Sequence, residues 1–187
     1  GPAPSAYVLL AAAAVAVTGS VGVVALRNRS APGAGWLAAV LLVDAAVAAF
    51  AVGGHQLPYT RRVALAVGGL GLLAAVPFVA FVVSYTGRGR HLTYWSLLGY
   101  GGPLFAAAAL YATSGYHGLL LRGPIGVRRE AGLTLLEYGG FGPLVVPTLL
   151  YVGLVLVGSL LLLAQTVVRH ERLYLGQSAA LFVGAAA

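Results

Sequence analysis

The sequence predicts an all-α integral membrane protein: a multi-helix transmembrane bundle of five spans plus part of a sixth, with a short extracellular β-hairpin loop. Three observations carry this prediction. Hydrophobic residues make up 60% of the 187 residues and charged residues only 8%, with a mean hydropathy of +0.93, whereas soluble domains carry roughly 25% charged residues. Apolar runs near the about 20 residues that a crossing needs follow one another with short interruptions. The eleven basic residues are all Arg and fall in pairs and small clusters between those runs. That is the distribution of interface anchors, not the one-sided stripe of a nucleic-acid binder, so no nucleic-acid partner is expected.

The first span is read at residues 7–26, closed by Arg27, Asn28 and Arg29. A signal peptide is the competing reading, and the lack of any basic residue ahead of the run argues against it. The second span covers 36–53, the third 63–85 with a kink or weakening at Pro77, the fourth 94–111 and the fifth 143–165. Residues 173–187 open a sixth run that falls short of a full crossing, so the natural protein is expected to continue. Met is absent at position 1, which fits a fragment or processed form in which Gly1-Pro2 is a cloning scar.

Residues 1–187 therefore read as a single transmembrane domain whose one real loop is 113–142, where Arg, Glu, Pro and repeated Gly break the apolar pattern. Within it the runs Gly118 to Leu121 and Leu133 to Tyr138 flank Arg122 to Gly132 and suggest an antiparallel hairpin lying on the membrane.

Chemistry-bearing residues are few. There is no Cys, and His55, His91, His117 and His170 share no metal-ligand spacing, so neither a metal nor a cofactor is expected. No phosphate-binding Gly pattern, His-Glu-x-x-His or Ser nucleophile elbow is present, and no catalytic residue is assigned. Asp44 lies near the middle of the second span, where a carboxylate costs roughly 2.5–3.5 kcal/mol to insert, so it is expected to face other helices as a ligand or proton site or as a buried packing residue. His117 follows Thr113, Ser114 and Tyr116 at the rim of the fourth span. It reads either as a ligand contact or as a His satisfied by loop backbone. Arg27, Arg29, Arg88, Arg90, Arg169 and Arg172 read as topology anchors, with Gly87 placed as the left-handed residue that ends the third span. Tyr174 and Gln177 would share a helix face at the start of the sixth run.

The ordered segments Phe81-Val82-Val83-Ser84-Tyr85-Thr86-Gly87-Arg88, Ala112-Thr113-Ser114-Gly115-Tyr116-His117-Gly118-Leu119, Glu137-Tyr138-Gly139-Gly140 and Tyr174 to Gln177, the last followed by an apolar run with Gly184, resemble the seven-transmembrane N-terminal sensor region of bacterial and archaeal histidine kinases. Ser114 stands where that pattern usually has Asn. The resemblance covers residues 81–187 best. It implies a sensory input domain of a two-component system that passes an unknown small-molecule or physical stimulus to cytoplasmic PAS and kinase modules, as a homodimer in the plasma membrane.

The resemblance also implies a cytoplasmic C-terminus after seven spans and so an N-terminus outside, which places loop 113–142 outside as well. A hairpin capping the helix ends there would enclose a pocket lined by His117, Tyr116, Tyr111 and Glu137. Asp44, with Pro77, Pro103 and Pro147 in or at the edges of spans, motivates the alternative of a small transporter or permease subunit. An intramembrane enzyme would need a second reactive group converging on Asp44.

Overall fold

The computed structural model describes residues 5–58 and 60–169; the sixth apolar run, Arg172, Tyr174 and Gln177 lie outside the described residues. In chain order the helices are α1 (Ala6–Arg27), α2 (Ala34–Gly53), α3 (Thr60–Leu73), α4 (Ala75–Tyr85), α5 (Tyr94–Ala112), the one-turn α6 (Ser114–His117) and α7 (Val145–Arg169). Strands β1 (Leu121–Arg122), β2 (Gly126–Glu130), β3 (Leu133–Glu137) and β4 (Gly140–Phe141) all lie between α6 and α7.

The ends of these helices are written in local chemistry. Ser5 caps α1 by accepting from the Val8 N–H, and Thr93 and Ser96 form a reciprocal capping box at the start of α5. Gly87 ends α4 at φ +75°, with the Arg88 N–H bonded to the Val83 carbonyl and the Gly87 N–H to the Ser84 carbonyl, a Schellman stop. Pro77 lacks an N–H and would clash with the carbonyl four residues back, that of Leu73. The helix responds by breaking at Ala74, whose N–H is shared between the Leu70 and Gly71 carbonyls. Pro147, by contrast, sits in the first turn of α7, where an N–H has no intrahelical partner to lose.

Among the described residues, four stretches are long and apolar enough to cross a membrane: 6–27, 34–56, 60–85 (α3 and α4 together) and 145–169. The protein is a membrane protein. The 19-residue α5 is about 28 Å long at 1.5 Å per residue and is diluted by Gly, Tyr, Ser and Pro103. One face packs against α3 and α4, with Gly101, Leu104, Ala107 and Ala108 buried, while Trp95, Leu98 and Phe105 lie exposed on the rest of the helix.

Kinked α4 is the central element. Ala75, Val76, Ala80, Phe81 and Val82 are buried there against α2, α5 and α7, whereas α1 packs chiefly along α2. One core cluster joins Ala75, Val76 and Leu104 to Tyr100, Tyr151 and Val152; another joins Phe81, Val82 and Leu163 to Leu37, Phe78 and Tyr85. Successive long helices alternate in direction. The start of α1, the α2–α3 connection and the α5–α7 connection therefore share one end of the bundle, and the 28–33 and 86–93 connections share the other with the last turn of α7.

The antiparallel ladder is not the one expected from the apolar runs. β2 pairs with β3, from Gly126 opposite Glu137 to Glu130 opposite Leu133. The run Gly118 to Leu121 instead zips the base of the loop: Leu121 faces Phe141, the Leu120 carbonyl accepts from Gly142, and the Leu119 carbonyl accepts from Leu144. Pro124, with no N–H, and Gly123, at φ +83°, separate the two ladders. The turn is two residues, Ala131 at φ +50° and Gly132 at φ +83°, the positive-φ pair that matches the twist of a hairpin. It rests on α1, where the Ser5 hydroxyl donates to the Ala131 carbonyl and a side chain at position 132 would meet Val8.

Gly132→Ala should therefore raise the cost of the turn, since a Cβ in the left-handed region costs about 1–2 kcal/mol. Amides of β2 and β3 are expected to exchange about tenfold faster, with those of α7 unchanged. Unaltered exchange in the strands would contradict this account of the turn.

Candidate functional site

The loop between α6 and α7 folds back over the helix ends, and what lies under it decides whether it can hold a ligand. Buried Leu65 from α3, Leu121 from β1 and Ile125 form a cluster joined by Tyr111 and Leu136. On β3, buried Thr134 accepts from the His55 N–H at 3.1 Å, and its hydroxyl lies 3.4 Å from His55 Nδ1. Thr134 thus ties the hairpin to the turn that follows α2. The hairpin bridges α1 through its tip, α2 through His55 and α3 through the leucine cluster.

The expected lining residues are not brought together. Tyr111 alone enters the cluster. Tyr116 is 83% exposed, and Glu137 is exposed at the end of β3. His117 is exposed and fully engaged: its Nδ1 accepts from the Leu119 N–H at 3.1 Å, and its Nε2 lies 2.8 Å from Thr113 Oγ1. Because Nδ1 accepts, the neutral ring carries its proton on Nε2, which donates to Thr113; Thr113 in turn donates to the Ala109 carbonyl at 2.6 Å. The imidazole thereby joins the end of α5 to the base of the loop.

Asp44, expected to face other helices, is exposed among the described residues. The side of α2 turned toward its neighbours carries Ala34, Ala38 and Leu37 instead. Arg27 and Arg169 lie in the last turns of α1 and α7, and Arg90 donates through Nε to His91 Nε2 at 3.3 Å. No group of three or more His, Cys, Asp or Glu among the described residues is placed to hold a metal.

Two features escaped the sequence reading. The first is a chain of phenols inside the bundle: Tyr151 on α7 donates to the Tyr100 carbonyl at 2.6 Å, and Tyr100 on α5 donates to the Val76 carbonyl on α4 at 3.0 Å. Interhelical hydrogen bonds of this kind contribute about 0.6 kcal/mol on average in membranes and up to about 1.7. The signal was available, because a Tyr inside an apolar run needs a partner for its hydroxyl. The second is a close crossing of α3 and α5. A Cβ on Gly69 would lie 2.8 Å from the Ala108 carbonyl oxygen, and one on Gly68 would enter the Tyr111 ring.

Gly68→Ala should accordingly lower stability by about 1–3 kcal/mol through overpacking, although alanine is the better helix former. In a Tyr111→Ala background the same change is expected to become neutral or stabilising. Equal effects in the two backgrounds, measured by unfolding in detergent, would show that the crossing does not depend on this contact.

A family model described as the N-terminal 7TM region of histidine kinase matches residues 9–187. No curated protein and no solved structure matches the chain.

Proposed function

The chain belongs to the family of N-terminal 7TM regions of histidine kinases, and from that premise we propose that it is the membrane-embedded sensory input domain of a two-component histidine kinase. The observation that carries the reading is the family match over nearly the whole chain. Phosphoryl transfer needs a phosphate cradle and metal-binding carboxylates. The sequence holds four acidic residues, of which Asp44 stands in a helix and Glu130 and Glu137 in the hairpin. The chemistry belongs to cytoplasmic modules of the parent protein, which acts as a homodimer.

In this reading α5 is the fourth crossing and α7 the fifth. A seven-crossing region that runs into a cytoplasmic kinase starts outside, so the hairpin end faces outward at the plasma membrane. Arg27, Arg29, Arg88, Arg90, Arg169 and Arg172 then fall on the inner side, six of the eleven Arg. A stimulus acts only through its differential affinity for two states of the bundle. The hairpin end, with Tyr111 beneath it and Tyr116, His117 and Glu137 on its rim, is the surface open to a small-molecule or physical stimulus. α7 passes the shift inward, and its link to α4 and α5 is the Tyr151–Tyr100–Val76 chain. A transporter role has less behind it: Asp44 has no hydrogen-bond or ion-pair partner among the described residues that would build a substrate or ion site around it.

With labelled ATP, the purified 187-residue chain should show no autophosphorylation, and the parent protein carrying its natural downstream sequence should show it. In the parent, Tyr151→Phe should shift the basal rate about threefold, the equivalent of one interhelical hydrogen bond, with the KM for ATP unchanged. Phosphorylation of the short chain, or an unaltered rate in the variant, would overturn this division of labour.

A further inference from the structure

The end of the bundle opposite the hairpin is chemically distinct. Arg27, Arg29, Arg88, Arg90 and Arg169 gather there, and no carboxylate accompanies them among the described residues. The one described ion pair, Arg128 with Glu130 at 2.8 Å, lies in the hairpin at the far end. Between the α1–α2 connection and the last turn of α4 the surface opens into a cavity of about 450 Å³ lined by Arg29, Ala31, Gly33, Trp36, Ala39 and Ser84.

The lining has three parts. Arg29 supplies a guanidinium with no ion-pair or hydrogen-bond partner among the described residues. Ser84 supplies a hydroxyl that is likewise without a partner among them, whereas Thr86, Ser114, Ser159 and Thr166 each return theirs to the carbonyl four residues back. Trp36 and Ala39 form an apolar wall on the first turns of α2, and the indole is 37% exposed. The backbone geometry is fixed: Gly33, at φ +79°, approaches so closely that a Cβ there would lie 3.0 Å from the Phe81 ring and 3.2 Å from the Phe81 carbonyl oxygen.

A planar fork of N–H donors suits phosphate oxygens, a Trp at the level of the headgroups suits the glycerol and upper acyl region, and basic pockets between membrane helices hold anionic headgroups. We propose that this cavity is a binding site for the phosphate headgroup of an anionic phospholipid, held by Arg29 and Ser84 with its upper chain against Trp36. The apolar wall beside the guanidinium favours a lipid over a free anion. The occupied site clamps the α1–α2 connection to the end of α4.

The chain has two Trp, and Trp95→Phe leaves Trp36 as the sole indole reporter. The 187-residue protein is placed in vesicles of phosphatidylcholine with a minority of phosphatidylglycerol. The composition is held fixed while the bromine label is moved from the acyl chains of one lipid to those of the other. A bound anionic lipid should give roughly fivefold enrichment of the glycerol lipid beside Trp36 over its bulk fraction, read as excess quenching. Arg29→Gln should abolish the excess. Arg90→Gln, at the same end but outside the cavity, should retain it, and inorganic phosphate should not displace it. Quenching that merely follows bulk composition would overturn the site. So would equal loss in the two arginine variants, which would mean diffuse surface attraction, or displacement by inorganic phosphate, which would mean a soluble-anion site.

Discussion

Hydrocarbon offers no water to an unpaired N–H or C=O, and that constraint decides where this chain can be irregular. Within the bundle the backbone is helical almost throughout, and helical hydroxyls such as Thr18, Ser159 and Thr166 are returned to the carbonyl one turn back. The exception is informative. Pro77 forces a break in the most buried helix, and next to it the Val76 carbonyl receives the Tyr100 hydroxyl. Tyr151 then bonds the carbonyl of Tyr100 itself, so two phenol hydroxyls that hydrocarbon would leave unpaired find acceptors inside the bundle. The same constraint expels strands, turns and glycine stops to the two ends.

Those ends are built for different surroundings. One carries the hairpin, whose Thr134 and Leu136 turn toward the helices while Arg128 and Glu130 pair in the open. An exposed pair of this kind contributes little; the hairpin is held by its leucine cluster and by bonds to α1 and α2. An isolated two-stranded hairpin is marginal in water, so its persistence depends on the bundle and it registers how those helices sit. The other end carries guanidinium groups with no ion-pair partner among the described residues, and a Trp beside a cavity. The kinked α4, in contact with α2, α5 and α7, is the element through which the two ends can be coupled.

Much of this was legible in the sequence because apolar runs and their stops are local signals. The expected bounds 7–26, 36–53 and 94–111 fall within two residues of the helices α1, α2 and α5, although α5 is not among the described helices long and apolar enough to cross a membrane. Gly87 ends α4 as its position implied, and the weakening assigned to Pro77 falls three residues upstream, where its ring acts on the preceding turn. The hairpin register was misread because hydrophobicity was used to choose the strands. β2 is Gly-Val-Arg-Arg-Glu, a polar strand whose partner supplies the apolar contacts, while the apolar Leu119–Leu121 run closes the loop's base. The candidate site was the least legible part. Tyr116, His117 and Glu137 are close in sequence or across the loop, but whether side chains converge depends on strand twist and register. Tyr100 and Tyr151 are 51 residues apart, and only packing reveals that they meet.

The central claim is that the hairpin end and the arginine end lie on opposite sides of the bilayer, with α5 crossing between them despite its diluted hydropathy. The chain has no Cys, so single substitutions Ser30→Cys and Ala131→Cys can each be probed with a membrane-impermeant maleimide in intact cells. The account predicts labelling at 131 from outside and at 30 only after permeabilisation. Labelling of both positions from the same side would mean that α5 does not cross, and the reverse pattern would invert the sensor; either result would contradict the account.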